Sequence, residues 1–150
     1  MEYKLNLKSI RTNNNLSQKD IADILNIDRT VYTKYENGYE LIPIKHLITL
    51  CNHFNIGIDS VFNLPFSINC NNYYKDINYE LIASKLKEFR KSQKLTQEKL
   101  AKILNTNKSV ICNYEKGRNL IATPFLYQIC HKYHVSADYL LGRIDENSQK

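Results

Sequence analysis

Shifted against itself by 79 residues, the chain aligns Leu7 to Leu64 with Leu86 to Arg143 without a gap, and 18 of these 58 positions are identical. The clearest stretch is "VYTKYENGYELI" at 31 to 42, which returns as "VICNYEKGRNLI" at 110 to 121. Val, Tyr-Glu, Gly and Leu-Ile keep their places while the residues between them change. Such self-similarity marks two copies of one structural unit, although two copies do not make a solenoid. The expected division is a first domain over 1–64, a linker over 65–77, a second domain over 78–143 and a polar tail over 144–150.

Each copy reads as short helices with no competing strand-period alternation. In the first, Leu5, Leu7 and Ile10 share a helix that ends in the run Asn13-Asn14-Asn15, a residue type that tolerates a left-handed exit. Ser17, with Asp20 three residues on, caps a second helix bearing Ile21, Ala22, Ile24 and Leu25. Asn26 breaks it, Asp28 caps a third helix running to Glu36, and Gly38 stops that one. Pro43 opens a fourth helix that buries Ile44, Leu47, Leu50, Cys51 and Phe54, and a short fifth contains Val61 and Phe62. The second copy repeats this with Thr96 and Asn107 as caps, Gly117 as the stop and Leu126, Ile129, Cys130 and Tyr133 as the stripe. Two-turn helices are unstable alone in water, so packing must hold them. The Asn-rich "PFSINCNNYYKD" between the copies reads as a linker; the alternative is an edge strand or hairpin built from Phe66, Ile68 and Tyr73.

"LSQKDIADILNIDRTVYTKYENG" and "LTQEKLAKILNTNKSVICNYEKG" closely resemble the lambda-repressor and Cro-like helix-turn-helix family, the XRE family of transcriptional regulators. "HFNIGIDSVF" and "KYHVSADYLLG" look like its last two helices. The resemblance implies an all-α fold of two tandem lambda-repressor-like helix-turn-helix domains, each of about five short helices. In such a motif the second short helix enters the major groove and its outward residues meet base edges. Val31, Tyr32 and Tyr35 recur at core spacing, leaving Arg29, Thr30, Thr33 and Lys34 outward in the first copy. The corresponding set in the second is Lys108, Ser109, Cys112 and Asn113, with Asn107 at the cap. Arg and Lys suit guanine, and Asn pairs with adenine; the plain alternative is a solvated helix face. The family places a Gln at the sugar-phosphate backbone, which implicates Gln18 and Gln97. Tyr39, Lys116 and Arg118 would continue along the strand. Arg11 and Glu36, like Arg90 and Glu115, lie 25 apart; the resemblance implies a structural ion pair in each copy rather than DNA contacts.

The formal net charge of +6 favours a polyanionic partner but is weak evidence alone. Residues 1 to 75 hold 8 Lys/Arg against 7 Asp/Glu, whereas residues 76 to 150 hold 13 against 8, so the second copy should supply more of the nonspecific affinity. No secretion signal or membrane span is read, which predicts a cytoplasmic protein, and Cys51, Cys70, Cys112 and Cys130, with no C-x-x-C pair, are expected as free thiols. Cys130, His131 and His134 are too few for a metal site, and His46 and His53 are lone histidines. No phosphate loop or nucleophile-base set appears, so no enzyme activity, metal, cofactor or small-molecule ligand is expected. The expected partner is double-stranded DNA, bound sequence-specifically by a regulator, a repressor. Two units on a flexible tether of about 12 residues could each reach a half-site about 34 Å from the other. A homodimer would add palindromy. The alternative is a protein-interaction module, such as an antitoxin or antirepressor, suggested by the near-neutral first copy and its Tyr3 and Tyr39.

Overall fold

The computed structural model describes residues 3–65 and 72–145. Ten helices make up its regular structure, five per copy: α1 (Leu7–Asn13), α2 (Gln18–Leu25), α3 (Arg29–Asn37), α4 (Ile44–Phe54) and α5 (Ile58–Val61), then α6 (Tyr79–Ser92), α7 (Gln97–Ile103), α8 (Lys108–Glu115), α9 (Thr123–Tyr133) and α10 (Ala137–Leu140). No strand occurs among the described residues. Of the hairpin alternative, Phe66 and Ile68 lie outside those residues, as does Cys70, and Tyr73 is in irregular backbone.

The backbone repeats more faithfully than the side chains. Left-handed residues at Asn15, Asn26, Gly38, Asn55 and Asn63 recur 79 positions later at Lys94, Asn105, Gly117, His134 and Gly142. Ser17 and Asp20 form a reciprocal capping box, and Thr96 and Asn107 each accept a backbone N–H in the same way. Asp28 does not follow the expectation: it stands at the N-cap of α3, but its side chain makes no capping bond.

The two first helices differ most. α6 has 14 residues, whereas α1 has 7 and begins only at Leu7, so Leu5 lies ahead of it in irregular backbone rather than on it. Tyr3 also departs from expectation. Its ring is half-buried edge-on against Tyr127 of the second unit, with centroids 5.3 Å apart, and does not form an exposed surface.

The tethered-domain picture needs the larger correction, because one apolar cluster runs through both units. Their contact is reciprocal. Asp138 at the start of α10 accepts from the Ile58 and Asp59 N–H groups of α5 at 2.9 and 3.0 Å, and Asp59 accepts from the Ala137 N–H of α10 at 2.6 Å. Since 58 pairs with 137 and 59 with 138 under the repeat, each unit gives the other the same bond. That exchange is the signature of an isologous, two-fold contact, here made inside one chain. Residues 41–45 and 120–124, also equivalent, face each other across a cleft of about 270 Å³, where Thr123 donates to the Ile42 carbonyl. His131 adds a bond to the Phe62 carbonyl at 2.9 Å.

Each short helix thus receives an N-terminal cap from the opposite unit, replacing partners that a helix start lacks. Gly57, at the α5 cap position, has no side chain to cap with, and a Cβ there would stand 2.7 Å from an Asp138 oxygen. Its counterpart Ser136 instead donates to Asp59 at 2.5 Å. The charges are not symmetric. Arg143, 1% exposed, donates to Asp138, to Asn52 and to the Ile56 carbonyl, but position 64, its equivalent, is a leucine. Of the two buried carboxylates, only that of Asp138 is thus paired with a guanidinium. Burial, with the neighbouring Asp138 charge, raises the Asp59 carboxyl well above the usual carboxylate range. Burial likewise pushes the nearby Cys51 thiol up to about 12.

Asp138→Ala strands the Ile58 and Asp59 N–H groups and leaves Arg143 unpaired, so urea unfolding should show a loss of about 3–5 kcal/mol. Because the folded-state pKa of Asp59 is raised, its contribution is complete below about pH 4 and is lost as pH rises towards neutrality. Asp59→Asn should remove this slope: between pH 5 and 8 the variant should gain at least ~1 kcal/mol relative to wild type, the equivalent of one pKa unit.

Candidate nucleic-acid interface

In each unit a short helix, a left-handed Asn turn and a second short helix stand against each other: α2 with α3, and α7 with α8. The core side of the second helix is set by Tyr32 in α3 and Ile111 in α8, both fully buried at equivalent positions. The opposite side is what each helix leaves to solvent.

An ion pair clamps that geometry in each unit. Arg11 Nε and Nη2 donate to the two oxygens of Glu36 at 2.9 and 2.7 Å, while Nη1 reaches the Leu16 carbonyl. Arg90 does the same with Glu115, at 2.7 and 2.9 Å, and with Leu95. The first helix, the following loop and the end of the outward helix are thus tied through one planar fork. The Glu side chains are 3% exposed. Burial opposes the charge on Glu36, but hydrogen bonds, foremost those from Arg11, outweigh it and hold the carboxyl below its ordinary range. Those bonds also raise the pKa of both guanidiniums.

The glutamines implicated in backbone contact belong to this network. Gln18 donates to Glu36 at 3.4 Å and accepts from Thr33 at 2.9 Å; Gln97 donates to Glu115 at 3.1 Å. Thr33 is half-buried as a result, and Cys112, its equivalent, is also half-buried. Sequence reasoning missed that each glutamine amide is pre-oriented by the carboxylate of the structural pair. The 18-residue spacing from Gln to Glu, present in both copies, was the available signal.

The remaining candidates divide by exposure. Arg29, Thr30 and Lys34 are exposed on α3; Asn107, Lys108 and Ser109 are exposed at the start of α8, and Asn113 is half-buried. Asn107 Oδ1 is engaged in capping, which leaves its amide nitrogen as the group able to read a base. In the loops that follow, Lys116 and Arg118 are exposed and Arg118 reaches Asn113 at 3.3 Å. The first unit replaces this with Lys34 bonded to Glu40 at 3.4 Å and with Tyr39, 80% exposed. The cation of α3 nearest the loop is therefore partly neutralised, and its loop offers an apolar ring instead of a guanidinium.

Cys130 is buried and His131 is used between the units, so neither faces a shared ligand position with His134. Among the described residues, no group of three or more His, Cys, Asp or Glu side chains is placed to hold a metal ion, and no helix is long and apolar enough to cross a membrane.

Known proteins share this architecture. A family model described as "Helix-turn-helix" matches residues 7–61, and a second, "Helix-turn-helix domain", matches residues 83–146. The chain is 38% identical over 69 residues to the HTH-type transcriptional regulator ImmR of Bacillus subtilis (strain 168), an overlap of 46% of this chain and 54% of that protein. It is 27% identical over 106 residues to the cryptic phage CTXphi transcriptional repressor RstR of Vibrio cholerae serotype O1, covering 71% and 87% of the two chains. Over 62 residues it is 31% identical to the antitoxin PezA of Streptococcus pneumoniae serotype 4, covering 41% and 39%. The chain thus spans about half of ImmR and less of PezA. No solved structure gives a significant match. With a matched unit on each side of the repeat, the chain belongs to the lambda-repressor and Cro-like (XRE-type) helix-turn-helix family and carries two such domains in tandem.

Proposed function

We propose that the protein is a DNA-binding transcription regulator, a repressor, in which one chain reads both halves of a double-stranded operator. The carrying observation is the reciprocal α5 and α10 contact, which relates the two helix-turn-helix units as the subunits of a two-fold dimer are related. Also in support, α3 and α8 lead through the turns at Gly38 and Gly117 into the two segments that face each other across the dyad. Dimeric helix-turn-helix proteins present paired recognition helices to half-sites about one helical turn apart. Here the pairing is carried within the chain.

The two readers are unlike. Arg29, Thr30, Thr33 and Lys34 face one half-site, and Asn107, Lys108, Ser109, Cys112 and Asn113 the other, so the operator is not a palindrome. Gln18 and Gln97, held by their Glu partners, serve as phosphate contacts with Tyr39, Lys116 and Arg118, fixing register without carrying sequence information. The second unit carries more of the affinity: its loop cation Arg118 is bonded to the neutral Asn113, whereas Lys34 is paired with the carboxylate of Glu40. A second reading, in which the first unit serves a protein contact while the second holds DNA, is favoured by the exposed Tyr39 and Leu41.

Selection from randomised duplexes should return two different motifs at one fixed spacing; a single motif would contradict the two-reader account. Asn113→Ala should relax preference at one base position at a cost of ~1–3 kcal/mol, whereas Arg118→Ala should weaken all duplexes alike and flatten the salt dependence. Equal losses for both variants across all duplexes would remove base reading from Asn113.

A further inference from the structure

The clearest breach of the repeat is a groove. In the second unit, the first two turns of α6 pack over the turn that follows α8: a Cβ at Gly117 would lie 3.5 Å from the Tyr79 carbonyl and 3.8 Å from the Ala83 side chain. Among the described residues, the first unit has no such turns. Helix α1 starts seven residues later in the aligned frame, and a Cβ at Gly38 would have no neighbour within 4 Å. The vacated place is a groove of about 300 Å³, lined by apolar residues, among them Leu5, Tyr35 and Leu41, and by the polar Lys4, Glu36 and Glu40. Leu41 is 58% exposed, while the identical residue in the second unit, Leu120, is half-buried. Leu41 in this lining, and Tyr39 two residues before it, are the first unit's exposed large apolar side chains among the described residues.

From this we infer that the first unit carries a docking groove for a short amphipathic α-helix of a partner protein. The second unit shows what such a groove takes: about two helical turns that bury apolar residues such as Ile82 and Ala83 ahead of Leu86, whose equivalent, Leu7, the first unit retains. Among the described residues, the segment of this chain with that pattern, α6, is engaged against Gly117, which points to a partner's helix as the occupant. Docking needs no DNA and does not depend on the reading of the chain as a DNA-binding regulator. It does place the partner beside the loop of Tyr39 and Glu40, next to the first recognition helix, where a bound helix and a duplex would compete for space.

The test uses the full chain, labelled with nitrogen-15, and a helix-stapled peptide carrying residues 77–86 of the chain itself as the probe. Peptide binding should shift the Tyr35, Gly38 and Leu41 amides and leave those of α8 and Gly117 unmoved. Leu41→Asp, with its remaining spectrum intact, should weaken binding at least tenfold, whereas Leu120→Asp should not selectively abolish it. No shifts up to millimolar peptide, or shifts centred on the second unit, would overturn the inference. Leu41-dependent self-association in sedimentation, without peptide, would also overturn it by making a second copy of the chain the occupant. A parallel titration with duplex DNA separates the two proposals: lost DNA binding with retained peptide shifts rejects only the regulator, and the reverse rejects only the groove.

Discussion

Two aspartates cross the middle of the molecule, each capping a four-residue helix that belongs to the other half. Neither α5 nor α10 is long enough to persist alone. Asp138 satisfies the first two N–H groups of α5, Asp59 satisfies the first of α10 beside that helix's own Ser136 cap, and apolar side chains such as Val61, Phe62 and Leu140 are buried there. The orientation of the halves, and hence the placement of the two outward helices, follows from this exchange. The described part of the connecting chain reinforces it: Asn52 of the first unit donates to the Lys75 carbonyl, and the Tyr74 N–H donates to the Arg143 carbonyl of the second.

Buried charge makes the junction specific more than strong. Removing carboxylates from water is costly, and only one of the two is paired with a guanidinium. Asp138 takes Arg143, while Asp59 relies on the Ser136 hydroxyl and the Ala137 N–H. A homodimer of a single unit would present the same residue on both sides of its dyad; the duplicated chain has let the sides diverge, with Gly57 opposite Ser136 and Leu64 opposite Arg143. The same divergence runs outward to α3 and α8, where the "YTK" and "ICN" of the repeated frame differ while Tyr35 and Tyr114, Glu36 and Glu115, and Gly38 and Gly117 keep it in place.

Much of each unit was readable from local chemistry. Ser17, Thr96 and Asn107 announced helix starts, Asn26 and Gly38 announced ends, and the 25-residue spacing of Arg11 and Glu36 anticipated a clamp that both units possess. The junction was not readable because its determinants are acids in helices too short to show periodicity, and an aspartate there reads as solvent-exposed. One signal was present: Asp59 and Asp138 are identical under the repeat and sit in apolar runs, "IDSVF" and "ADYLL". The groove was hidden for another reason. The turns that distinguish α6 from α1 lie ahead of the aligned block, and Leu41 and Leu120 are the same residue with different neighbours.

The central claim is that the two units form one body. Nitrogen-15 relaxation on the DNA-free protein tests it most directly, because amides of α1 to α4 and of α6 to α9 report the tumbling of their own unit. The account predicts one rotational correlation time, that of a compact 150-residue particle, for both sets. Two shorter times, each suited to a domain of about half that length, would mean independently tumbling units and would contradict it.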